Sequence, residues 1–209
     1  MIDRDGLSAL SMRTVAAELD RRPMALYRYV DDRDELECLV VDLVLGPGLE
    51  QPLGEGTPRQ RISGLMHRIR LAVAAHPGVV PLVVRHRHSC LPALRWSEQV
   101  LAELVRAGVG AEDRAVASEG PERPEGFEGS DVRAGADALM ALRTLIAYLV
   151  GALELEHETV IHGAERGLPA AALPADGFPL LSAAALTPLD AERQFRTGLE
   201  ALLDGFGIR

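Results

Sequence analysis

Apolar residues recur at three- and four-residue intervals along most of the chain, the signature of helices that bury one face. Leu36, Leu39, Val40, Leu43 and Val44 form one such set, and Ile62, Leu65, Met66, Ile69 and Val73 a second. Val100, Leu101, Leu104 and Val105 make a third. The fourth is Leu139, Leu142, Leu145, Ile146, Leu149, Val150 and Leu153. A final stripe, Phe195, Leu199, Leu202 and Leu203, follows Thr187, Pro188 and Asp190, which read as a hydroxyl cap, a first-turn proline and a carboxylate at the positive helix end. The one β-like run, 79–84, contains Pro81, so no strand is expected there. The pattern predicts an all-α protein.

The N-terminal residues up to 45 carry the most specific arrangement. Ser11 is a good cap for a helix whose inward face is Val15, Ala16 and Leu19. Asp20-Arg21-Arg22 leaves room only for a tight turn, and Pro23 opens a second short helix that buries Leu26 and Val30. Asp32 then caps a third helix, with Glu35 as the reciprocal acceptor of a capping box. Two short helices across such a turn form a helix-turn-helix, whose second helix enters the DNA major groove. With Leu26 and Val30 inward, Pro23, Met24, Ala25, Tyr27, Arg28 and Tyr29 remain on the front and sides. These small, hydroxylated aromatic and cationic side chains suit base edges and phosphates. Farther on, the Gly- and Pro-rich stretch 46–58 marks the end of one unit and the start of another. Residues 119–130 read as a mobile loop, and 163–179 as a breaker before the last helix.

Composition narrows the picture. The chain has 209 residues, 47% of them hydrophobic, which excludes wholesale disorder. A net charge of -9 argues against a surface coated in nucleic acid and leaves room for a local basic patch. All 22 basic residues are Arg, each a forked donor to phosphate or carboxylate. Cys38 and Cys90 have no pairing motif and read as free thiols of a reducing compartment. The N-terminus has no apolar secretory stretch. Residues 138–155 are interrupted by Arg143 and Glu154, so a buried helix is expected rather than a membrane span.

Residues 59–97 hold seven Arg and four His with no acid, whereas 112–137 hold eight acids. The two segments are expected to pack together and neutralise; the sharper alternative is an anion held by Arg68 or Arg70. His86 and His88 diverge on a helix, and His157, Glu158 and His162 miss the spacing of a zinc-protease motif by one residue. Cys90 beside His88 lacks an orienting carboxylate. No catalytic residue, metal site or cofactor is therefore expected.

The stretches 10–19, 23–30 and 32–36 (LSMRTVAAEL, PMALYRYV, DRDEL) closely resemble the DNA-binding domain of TetR-type regulators. The resemblance implies a helix-turn-helix domain at 1–46 and a larger helical ligand-binding and dimerisation domain at 47–209. It implies a homodimer, formed through residues 138–158 and 188–204, that binds operator DNA and is released by a small-molecule effector, in the cytoplasm and away from membranes. Met12 and Arg13 match second-helix positions near DNA, and Pro23, Met24 and Ala25 the base-reading start of the recognition helix. Tyr27 and Tyr29 match phosphate-contacting aromatics, and Arg33 a cation at the next helix. Arg22 and Arg28 add charge to the same surface. Beyond residue 46 the order of His76-Pro77-Gly78 and the later helices is similar to the tetracycline-repressor class, without that class's metal-tetracycline histidine. Met66, Arg70, Trp96, Leu104, Arg143 and Tyr148 are the expected pocket. Little of the family's first helix precedes Gly6, which predicts exposure of Val15, Leu19 and Leu26. Asp20 stands at the usual turn glycine, where a left-handed conformation is needed, and Arg21 at a small apolar plug. The alternative is a dimeric small-molecule-binding or interaction protein that no longer binds DNA.

Overall fold

The computed structural model describes residues 1–110, 129–162, 177 and 190–209, the side chains of 129–135 and 159–162 excepted. Its helices are α1 (Ile2–Asp5), α2 (Met12–Glu18), α3 (Pro23–Leu26), α4 (Arg33–Leu49), α5 (Pro58–Ala74), α6 (Val80–His86), α7 (Leu91–Arg106), α8 (Gly129–His162) and α9 (Ala191–Gly205). Short 3₁₀ turns occupy Leu7–Ala9 and Pro77–Val79. Among the described residues there is no strand, and the all-α expectation holds. The run 79–84 is helical because Pro81 falls in the first turn of α6, where its missing N–H costs nothing.

Local chemistry sets most helix starts. Ser11 accepts from Thr14 N at 3.2 Å while Thr14 Oγ1 accepts from Ser11 N at 3.0 Å. Thr57 and Gln60 form the same reciprocal pair, followed by Pro58. Asp32 accepts from Glu35 N at 2.8 Å, and the Glu35 carboxylate returns to Asp31 N, one residue earlier than a strict box requires. Asp190 caps α9 through Glu192 N and Arg193 N, a role expected of Thr187. Thr187 and Pro188 lie outside the described residues, as do 112–128 and most of 163–179.

α5 packs against α4 and α7, and α7 against α8. Leu45, Ile62, Leu65, Met66, Leu104 and Leu145 are fully enclosed in this core. The stretch Ala136–Glu158 has mean hydropathy 1.7 and is long enough to span a bilayer, yet Ala138, Ala141, Leu142, Leu145, Leu149 and Leu153 are buried against the protein. α1 is docked by Asp3, which accepts from His76 Nδ1 at 2.9 Å and Gly78 N at 3.1 Å.

Four expectations change. α4 does not end at Gly46 but continues through Pro47 to Leu49. Pro47 sits in the last turn, where only one bond is lost, and buried Leu45 and Leu49 hold that turn in place. The buried side of α4 is Leu36, Glu37, Val41, Leu45 and Leu49, leaving Leu39 and Leu43 exposed. Leu19 is the C-cap of α2 and is exposed, not inward. Val15 and Leu26 are half-buried. Finally, Cys38 and Cys90 are not free thiols. They are joined as a disulfide across a Cα–Cα distance of 5.4 Å, because α4 packs against α7 and Cys90 immediately precedes the first residue of α7.

Several arginines of the basic segment pair with acids of the described helices, while most of the expected acidic partner, 112–137, lies outside the described residues. Arg59 pairs with Glu200 and, at 2.7 Å, with Asp204. Arg70 donates through Nε to Glu156 at 2.7 Å and through Nη1 to Glu192. Arg61 reaches Glu103 at 3.5 Å, and Arg85 reaches Glu37 at 2.8 Å. Among the described residues, the neutralising acids come from α4, α7, α8 and α9. Arg68 donates to the carbonyls of Gln51 and Pro52 at 2.7 and 3.0 Å, so neither Arg68 nor Arg70 is left to hold an anion.

Candidate nucleic-acid interface

α2 and α3 form the helix-turn-helix. Asp20, in the turn, has φ 52°, a left-handed conformation that Asp adopts more readily than most L residues. Arg21 N closes the turn on Ala16 O at 2.8 Å, and the Arg21 side chain points to solvent with one bond to the Asp20 carbonyl. α3 is regular only over Pro23–Leu26. The bonds Tyr29 N to Leu26 O (2.8 Å) and Val30 N to Leu26 O (3.1 Å) carry the coil on to Val30, which is buried. This anchors the reader from behind.

The outer face gathers exposed aromatic, thioether and cationic side chains. Met24 is 75% exposed, Tyr27 48% and Tyr29 79%, although each carries a large apolar surface. Arg13, Arg22 and Arg28 are exposed and, among the described residues, have no carboxylate partner. The nearby acid Glu18 is taken up by Arg4. Arg33 is half-exposed and bound through Nε to Glu37 at 2.8 Å, which ties its α4 position to the core. Pro23 is exposed and Ala25 half-buried, while Met12 packs partly against the core. Unpaired guanidinium groups beside exposed phenols are what a phosphate backbone attracts.

No protein-family model matches the chain. An HTH-type transcriptional regulator of Saccharopolyspora erythraea is 33% identical over 114 residues, 54% of this chain and 48% of that protein. The HTH-type transcriptional repressor DrrR1 of Streptomyces coeruleorubidus is 42% identical over 77 residues, 36% of this chain and 28% of its own. The matched segments thus span half or less of these curated relatives. The Streptomyces coelicolor TetR family protein ActR, solved in complex with (S)-DNPA, superposes with a TM-score of 0.70 at 26% identity, covering 98% of this chain and 90% of that one. The chain shares the all-α fold of TetR-family regulators, with a helix-turn-helix near its N-terminus.

The residues expected to line a pocket are only partly gathered. Met66, Trp96 and Leu104 are buried in the core, with Trp96 Nε1 donating to Leu65 O at 3.2 Å. Arg70 and Tyr148 converge on Phe195: the guanidinium lies 5.0 Å above that ring and the phenol ring stacks on it at 5.5 Å. Tyr148 Oη donates to the Phe195 carbonyl at 2.7 Å, and burial raises its pKa. Arg143 is exposed, away from this group. Sequence reasoning missed Glu37, fully buried beneath Arg33, Arg85 and His86. Its place in an acidic run suggested a solvated helix start.

Proposed function

We propose that this chain is a ligand-responsive transcriptional regulator of the TetR family, a repressor that binds operator DNA as a homodimer and is released by a small molecule. The observation that carries this reading is the clustering of exposed arginines and phenols on the helix-turn-helix. Arg13, Arg22 and Arg28 stand around exposed Tyr27 and Tyr29 without a carboxylate partner among the described residues. In this reading Arg13, Arg22, Tyr27, Tyr29 and Arg33 hold phosphates, with Met12 beside them. Pro23, Met24, Ala25 and Arg28 approach base edges. Residues 1–46 act as the reader and 47–209 as the effector and dimer unit, working in the cytoplasm.

Met140 and Leu155 on α8 are 61% and 63% exposed on the same side of the helix, apolar positions that suit a second copy. Two readers held at fixed separation would address half-sites about one DNA turn apart. ActR holds a small molecule in its complex with (S)-DNPA, which supports an effector site here as well. By linkage, the effector must bind the DNA-incompetent arrangement more tightly. The test is a mobility shift with the purified chain and DNA flanking its own gene. A specific complex that Arg13→Ala/Arg28→Ala abolishes is expected; wild-type protein giving no specific complex at low salt would overturn the DNA reading.

The exposure of Leu19, at 57%, favours the second reading, a dimeric ligand-binding or interaction protein without DNA binding. That reading predicts dimers by sedimentation and no shifted band.

A further inference from the structure

Cys38 lies on α4, His86 is the last residue of α6, and Cys90 is the N-cap of α7. One ligand atom from each lies within 4.8 Å of the other two. Cys90 and His86 are 2% and 6% exposed, and Cys38 is half-buried. His86 Nε2 donates to Glu37 Oε2 at 2.9 Å. With Nε2 committed to Glu37, Nδ1 is the nitrogen left for a further partner, and it stands 3.7 Å from Cys38 Sγ and 3.3 Å from Ser89 Oγ. Glu37 is fully buried and also accepts from Arg33 and Arg85 at 2.8 Å each, so it stays behind the imidazole as an orienting carboxylate.

We propose that Cys38, Cys90 and His86 form a thiolate–imidazole site for a soft divalent cation of the zinc type, closing the seam between α4 and the α6–α7 corner. A disulfide asks nothing of a nearby imidazole, whereas a metal-bound histidine is held by a carboxylate on its other nitrogen, as Glu37 holds His86. Metal–sulfur bonds of about 2.3 Å and metal–nitrogen bonds of about 2.0 Å in a tetrahedron separate S and N by roughly 3.5 Å, close to the spacing found here. Two cysteines and one histidine are a soft donor set, and Ser89 Oγ or a water completes it.

Loading begins from the dithiol. Two molecules of a small thiol reduce the Cys38–Cys90 bond, each losing one electron and one proton, and leave as their own disulfide; the two cysteines become thiols. The cation then displaces both thiol protons to solvent and accepts one electron pair from each sulfur and one from Nδ1. This site stands independently of whether the chain binds DNA.

The experiment titrates the full chain, reduced and kept under nitrogen, with Co²⁺ as a spectroscopic probe, followed by Zn²⁺. One equivalent of Co²⁺ is expected to bind with a thiolate-to-metal charge-transfer band and intense tetrahedral d–d bands that Zn²⁺ bleaches. Cys38→Ser and Cys90→Ser remove the charge-transfer band, and Glu37→Gln weakens metal binding about 10- to 100-fold. Absence of the band in reduced wild type, or its persistence in the double serine variant, overturns the site. A readout free of variants is alkylation of the wild-type protein by a maleimide. Zn²⁺ should protect both thiols, and equal labelling with and without the metal also overturns it.

Discussion

Glu37 accepts from His86 Nε2 at 2.9 Å across 49 positions of sequence, on a carboxylate with no exposed surface. Burial alone would push the Glu37 carboxyl up, but hydrogen bonds from His86, Arg33 and Arg85 outweigh it and hold the group below the usual carboxylate range. A carboxylate whose folded pKa lies below its unfolded one stabilises fully above the unfolded value and loses that contribution as pH falls through the folded value. Chemical denaturation measured from neutral to acid pH should therefore show Glu37→Gln with a flatter acid limb than wild type. Glu37→Ala should cost about 3 kcal/mol near neutrality, because it strands a buried imidazole. An acid limb of unchanged steepness in Glu37→Gln would refute the assignment.

Phe195 is enclosed by three different contacts: His67 meets its edge at 5.1 Å, Tyr148 stacks on it, and Arg70 lies over its face. Phe195→Ala should lower stability by about 3–5 kcal/mol in urea melts. Phe195→Leu, which keeps most of the volume, should cost about half as much.

Two helical glycines should respond with opposite sign. A Cβ on Gly198 would lie 2.8 Å from Tyr148 Cζ and closer still to its hydroxyl, so Gly198→Ala should destabilise by about 1–3 kcal/mol. Gly64, in the middle of α5, has nothing within 4 Å of that position, and Gly64→Ala should stabilise by about 0.5–1 kcal/mol. Thermal melts of the two variants decide this, and shifts in the same direction would count against the packing described.

In the reader, Arg13→Ala and Arg28→Ala should leave the melting temperature within a degree or two, since both side chains are exposed and unpaired. In the proposed reading Arg13 holds a phosphate, and its removal should reduce the slope of log affinity against log salt by about 0.9. Arg28, in that same reading, approaches base edges, so its removal should also relax sequence preference. Fluorescence anisotropy at several salt concentrations measures both effects.

Met140, 61% exposed on the apolar side of α8, tests the homodimer. Met140→Asp places a charge on that face and should shift sedimentation toward the monomer while helicity by circular dichroism stays constant. A dimer undisturbed by this change would place the interface elsewhere.

Much of the reader was legible in the chain because its signals are local. Ser11, Asp32 and Pro23 act on backbone groups within three or four residues, and each works as its residue type dictates. The left-handed Asp20 was legible for the same reason. On α4, spacing of apolar residues chose Leu39 and Leu43, both of which face solvent, and passed over Glu37, which is buried. Apolar counting cannot anticipate a charge that is buried because Arg33, Arg85 and His86 arrive to satisfy it. Similarly, the basic stretch around Arg59 and Arg70 looked like a candidate anion surface until α8 and α9 supplied its carboxylates.

By itself, the order of residues determined most of the helices, the caps at Ser11 and Asp32 and the face that α3 turns outward, since hydrogen bonds to neighbouring backbone and the period of 3.6 act over a few positions. Only the tertiary structure decided that Cys38 meets Cys90 and His86, that Glu37 is interior, and which arginines remain unpaired. Those outcomes depend on which distant helices pack together, and long-range packing is set by the shape of the whole core rather than by any stretch of it.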